Sequence, residues 1–122
     1  MHETAQLFKA LGDETRLRIL NLLVRGELCV CDIVGVLGIS QPKVSRHLAI
    51  LRRADLVGVR REGKRKFYAL TKDRSPLQQT LFRYVRSCLS EFEVLAQDRR
   101  RLESMHASLH RAPRAGAAIG RH

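Results

Sequence analysis

Cys29 and Cys31 stand one residue apart in the run Glu27-Leu28-Cys29-Val30-Cys31-Asp32-Ile33, and they offer the most pointed chemistry of the chain. Thiolates are soft ligands, suited to zinc, cadmium and copper(I) and, by the same softness, to trivalent arsenic or antimony. Two packed small residues would be the bland alternative, but two thiols at this spacing beside Asp32 favour a metal or metalloid site. Oxidants or reactive sulfur are a second signal such thiols could sense, through a disulfide or sulfur bridge. A bridge between thiols so near in sequence is geometrically awkward, which ranks that signal second.

The spacing also makes a structural demand. On a regular helix, at roughly 100° per residue, the two thiols point about 200° apart. One ion could hold both only if the first helical turn were broken, so ion binding is expected to unwind the start of the helix that carries them. Catalysis is not expected, because no base stands beside a candidate nucleophile and no glycine loop of the phosphate-cradling kind occurs.

The elements that position these thiols follow from periodicity. Residues 3 to 11 place Ala5, Leu7, Phe8 and Leu11 near one helical face. Asp13 is a good N-cap for a second helix with Leu17, Leu20, Leu23 and Val24 at helical spacing, and Gly26 closes it. A third helix is expected from about Val30 to Leu37, stopped by Gly38. Ser40 caps a fourth, with Pro42 in its first turn and Val44, Leu48 and Leu51 as the buried stripe. Leu56 to Arg60 and Lys66 to Leu70 then change period and flank a turn at Glu62-Gly63, a hairpin signal. After Ser75-Pro76 one long helix is expected, with Leu81, Val85, Cys88, Phe92, Leu95 and Leu102 forming a heptad seam of the kind that pairs helices. The domain is expected to span residues 1–109, with 110–122 a flexible tail.

At 122 residues the chain holds one domain, and 44% apolar residues with no tryptophan means aliphatic packing. The net charge of +11 points to a polyanionic partner. Three cysteines, an odd count, and no apolar leader lead to the expectation of a reducing cytoplasm, and no stretch is long and apolar enough for a membrane span.

Helix, turn, capped helix and basic hairpin together describe a mainly α fold with a small β-hairpin, a winged helix-turn-helix. Burying Val44, Leu48 and Leu51 leaves Gln41, Lys43, Ser45, Arg46 and His47 on the solvent face of the fourth helix. Gln and Arg read base edges in the major groove, and Ser serves a base or a phosphate. Arg60, Arg61, Lys64, Arg65 and Lys66 crowd the hairpin tip, which suits DNA backbone or minor-groove contact, with Arg60, Lys64, Arg65 and Lys66 as the candidate contacts. Pairing of the terminal helices would give a homodimer and hence double-stranded operator DNA with an inverted repeat. A thiol-based ion carrier would not need such a wing.

The run from Phe8 to Leu20, the Glu27-Leu28-Cys29-Val30-Cys31-Asp32 segment and Ser40-Gln41-Pro42-Lys43-Val44-Ser45-Arg46-His47-Leu48 together resemble the ArsR/SmtB family of winged-helix repressors. The likeness covers about three quarters of the chain, and its metal box matches the arsenic-responsive type. The resemblance implies a homodimer that sits on its own operator and leaves when a toxic ion binds. Arsenic-sensing members carry a third thiol three residues after the second, and here that position is Val34. Cadmium- and lead-sensing relatives add thiols from an N-terminal arm, where this chain has only His2 and Glu3. Zinc-sensing relatives use carboxylates and histidines of the dimer helix. His106 and His110 stand at i, i+4 there, yet a solvated helix end is the expected role. Cys88, on the seam, is expected to be a small buried hydrophobe rather than a ligand. The expected inducer is arsenite or antimonite at Cys29 and Cys31, with no cofactor in the DNA-bound form. The alternative is a redox or reactive-sulfur sensor that uses the same cysteines.

Overall fold

In the computed structural model the backbone is described for residues 1–87 and 91–109, and the side chains through 106. Cys88, His110 and the 110–122 segment lie outside the described residues. The elements run α1 (His2–Leu11), α2 (Glu14–Leu23), β1 (Leu28–Cys29), α3 (Val30–Leu37), α4 (Gln41–Arg53), β2 (Val57–Glu62), β3 (Arg65–Leu70), α5 (Pro76–Ser87) and α6 (Glu93–Leu109).

Local sequence signals set most boundaries. The Asp13 carboxylate accepts the Arg16 amide at 3.1 Å and starts α2, while Ser40 Oγ accepts the Lys43 amide at 3.4 Å and starts α4. Gly38, with φ at +70°, closes α3 in the left-handed conformation that glycine adopts at no steric cost. α3 and α4 pack together as a helix-turn-helix over Ile33, Val36, Val44, Leu48 and Leu51, all fully buried.

The hairpin is longer than its period suggested. β2 and β3 pair antiparallel from Val57↔Leu70 out to Glu62↔Arg65, so the turn is Gly63-Lys64 and not Glu62-Gly63. A third strand joins them. Leu28 and Cys29 pair with Tyr68 and Phe67 of β3, giving the order β1-β3-β2. Two residues are too short to show a period, which is why this strand is invisible to pattern reading.

The single long terminal helix is replaced by two. α5 ends at Ser87 and α6 begins at Glu93, so the heptad seam does not run through one rod. Leu95 and Leu102 are buried in the core of their own chain, against α2 and α3, while Phe92 stays 57% exposed. Polar ties hold α6 down. Arg18 donates to both carboxylate oxygens of the buried Asp98 at 2.8 and 3.0 Å. Asn21 Nδ2 donates to the Leu95 carbonyl at 3.1 Å, and Arg101 donates to the Val36 carbonyl at 2.7 Å. A heptad spacing says that a helix packs, not against what. Asp98→Ala should therefore raise amide hydrogen exchange in α6 well before α2 or α4, measured by mass spectrometry. Uniform loss of protection would mean α6 is integral to the global folding unit.

Candidate DNA interface and thiol site

The outward face of α4 carries Gln41, Lys43, Ser45 and Arg46, all exposed. Lys64, Arg65 and Lys66 are exposed at the wing tip, and so is Arg61. Seven polar or cationic side chains of the proposed reader are thus accessible as their spacing required. Two others are engaged within the protein. The Arg16 guanidinium donates to His47 Nδ1 at 3.1 Å, and Asp13 lies 3.8 Å from the same nitrogen. His47 therefore ties α4 to the start of α2. Arg60 donates to both oxygens of Glu27 at 2.8 Å each, with its guanidinium carbon 4.6 Å from the Phe67 ring centre. The hydrogen bond to Glu27 holds the Arg60 pKa above its ordinary value. Neither contact is signalled by a local motif, because each joins elements distant in sequence.

The thiols are built differently from a regular helical pair. Cys29 is the N-cap of α3, with extended backbone at φ −80° and ψ 160°. It thus precedes the helix, and the expected 200° divergence does not arise. The two Cα atoms are 5.3 Å apart and the sulfurs are joined in a disulfide. The bridge judged awkward for a helix is accommodated because only Cys31 is helical. Cys29 is buried and Cys31 exposed, so the pair opens to one side.

Asp32 completes the local structure. Its amide donates to Cys29 Sγ at 3.2 Å and its carboxylate accepts the Cys29 amide at 3.3 Å, a reciprocal capping box. Cys29, Cys31 and Asp32 hold their ligating atoms within 4.8 Å of one another, the one such group among the described residues. The donor set suits a soft ion through its two sulfurs when they are reduced, with Asp32 occupied in the cap. His106 of α6 is not a solvated helix end: its Nε2 lies 3.7 Å from the Asp32 carboxylate, and its side chain is 25% exposed. Met105 beside it packs towards Gly35 of α3, where an added Cβ would lie 2.9 Å from the Met105 methyl.

One cavity of about 470 Å³ joins the thiols to exposed side chains of α4 and the wing. Its lining includes Cys29, Cys31 and Val34, Gln41 and Ser45 of α4, and Lys64, Arg65 and Lys66 of the wing. The sulfur pair and the reader are therefore neighbours in space as well as in sequence. Cys29 belongs to both, as the end of β1 paired to the wing strand and as the cap of α3.

Residues 13–59 match the family described as bacterial regulatory protein, arsR family. An HTH-type transcriptional regulator of Methanocaldococcus jannaschii is 48% identical over 73 residues, which are 59% of this chain and 82% of that one. The chain belongs to the ArsR family. An arsenical resistance operon repressor of Escherichia coli K12 is 57% identical over 67 residues, 54% of this chain. The alignment spans 57% of that repressor's own length. In three dimensions the homodimeric winged helix-turn-helix DNA-binding domain from Mycobacterium bovis matches with a TM-score of 0.63 at 33% identity, covering 75% of this chain and 82% of that one. This ArsR-family chain thus has the expected winged helix-turn-helix fold, and among its described residues no helix is long and apolar enough to cross a membrane.

Proposed function

We propose that this ArsR-family chain is a cytoplasmic transcriptional repressor that binds operator DNA as a homodimer and is released when trivalent arsenic or antimony binds Cys29 and Cys31. The observation that carries the reading is the shared cavity, which sets both sulfurs beside Gln41, Ser45 and the wing cations. The arsenical-resistance role printed for the Escherichia coli relative points the same way. Gln41, Lys43, Ser45 and Arg46 would enter the major groove, with Lys64, Arg65 and Lys66 on the backbone. Phe8 on α1 and Leu77 and Tyr84 on α5 are exposed apolar residues suited to pairing terminal helices. A two-fold dimer reads an inverted repeat.

Release needs a ligand that distinguishes two states. Cys29 is fixed on one side by its pairing with Phe67 of the wing strand and on the other by the Asp32 amide. Drawing both sulfurs onto one ion pulls on the wing and on the α3 cap together, so the coupling does not require α3 to unwind. The disulfide between the same residues favours a second reading, a redox or reactive-sulfur sensor with the same DNA reader.

Fluorescence anisotropy of the reduced protein on its own upstream DNA, titrated with arsenite, antimonite, cadmium and an oxidant, separates them. Release by near-stoichiometric metalloid supports the proposal. Indifference to metalloids with release by oxidant selects the redox reading. On the same DNA, Arg46→Ala should weaken binding by about 1–3 kcal/mol if the guanidinium makes a bidentate base contact. Equal loss on random DNA would reassign Arg46 to a phosphate.

A further inference from the structure

Trivalent arsenic has three bonds to satisfy, and Cys29 with Cys31 supplies two. The cavity they share is lined also by Val34, which has no donor, and among the described residues no acidic side chain lines it, the nearby Asp32 carboxylate being engaged in the α3 cap. The same lining is cationic, with Lys64, Arg65 and Lys66. A volume of about 470 Å³ lies in the range of roughly 300–1,000 Å³ typical of small-molecule sites. The space thus suits a ligand that carries both a sulfur and negative charge.

We propose that this cavity binds a small carboxylate-bearing thiol, whose sulfur is the third ligand of the metalloid and whose carboxylates pair with Lys64, Arg65 and Lys66. The inference rests on the metalloid reading above and names the co-ligand that this site requires. Two molecules of the thiol first reduce the Cys29–Cys31 disulfide, leaving two protein thiols and one small-molecule disulfide. Arsenous acid then exchanges its three hydroxyls for three thiolates. Each exchange forms one As–S bond, breaks one As–O bond and releases the thiol proton in a water molecule, with arsenic remaining trivalent. The bound anion neutralises the wing cations from the side that faces phosphate. Occupancy of the cavity and DNA binding would therefore oppose each other electrostatically as well as through the Cys29 hinge.

The test uses the full chain without DNA, reduced with a phosphine, and follows arsenite binding by the ultraviolet absorption of As–S bonds. Mercaptosuccinate and uncharged mercaptoethanol are compared as the third ligand, each corrected for its own affinity for arsenite. Apparent arsenite affinity should be about tenfold higher with mercaptosuccinate, the scale that a pair of partly screened ion pairs provides. The gap should close in the wing variant Lys64→Glu/Lys66→Glu, whose exposed positions leave the fold intact. Val34→Cys should make tight binding independent of either small thiol, since it places a third sulfur in the same wall. Equal affinities with the two thiols in the wild type, or a gap that survives charge reversal, would overturn the co-ligand while leaving the metalloid site standing. A titration unchanged by Cys29→Ser would instead overturn the metalloid site and the co-ligand with it.

Discussion

Cys31→Ser should hold operator DNA within about twofold of the wild type, as exposed substitutions normally change little, yet no longer let go when arsenite is added. Cys31 is exposed on the first turn of α3, and its sulfur is bonded to that of Cys29. Cys29→Ser is the more demanding variant, because Cys29 is buried and caps α3. Serine is among the best N-cap residues, so its hydroxyl can take over the Asp32 amide and preserve the cap. Both variants should therefore fold and bind, and both lack a sulfur needed for release. Anisotropy with and without arsenite checks each of them. A variant still released at wild-type arsenite levels would move the inducer site away from these cysteines. The two replacements also abolish the disulfide, so an oxidant run in parallel tells which signal the pair serves.

The contrast between these cysteines marks where pattern reading stops. α1 to α4 were legible from their apolar stripes, and α2 and α4 from their caps as well: Asp13 and Ser40 bond the amides their positions predict, and Val44, Leu48 and Leu51 are buried together. The hairpin was legible from Gly63 and its flanking strands. What lay hidden were features set by distant partners. Cys29 leaves the helix because β1 pairs with β3, across about 40 residues of chain. Glu27 and Asp98 are carboxylates with no local signature, yet each is buried against an arginine of another element. The heptad spacing of Leu95 and Leu102 was genuine, but α6 spends it on α2 and α3 of its own chain. The candidate DNA face was legible by subtraction from the buried stripe, except where Arg60 and His47 found internal partners.

That exception yields the largest stability effect expected of any single substitution here. Arg60→Ala should destabilise the fold by about 3–5 kcal/mol, because it strands the Glu27 carboxylate in the interior without its charged partner. The Glu27 side chain is 1% exposed and that of Arg60 20%, so the acid cannot turn to water as the arginine could. Arg61→Ala, next door and exposed, should stay within about 0.5 kcal/mol of wild type. Urea unfolding of the pair decides it, and near-equal midpoints would mean that solvent reaches Glu27. Replacing both partners with leucine should recover much of the loss, since a buried ion pair adds little over apolar packing of similar volume. DNA binding then separates structure from contact. Glu27 leads directly into β1, so the ion pair joins wing strand β2 to the segment that carries Cys29. Arg60→Ala should accordingly weaken DNA binding by loosening the wing, with the salt dependence of binding unchanged. Lys64→Ala, by losing a phosphate contact, should lower the salt slope by about one. A matching drop in slope for Arg60→Ala would return that residue to the DNA contacts and leave Glu27 as an acid that holds it in place for them.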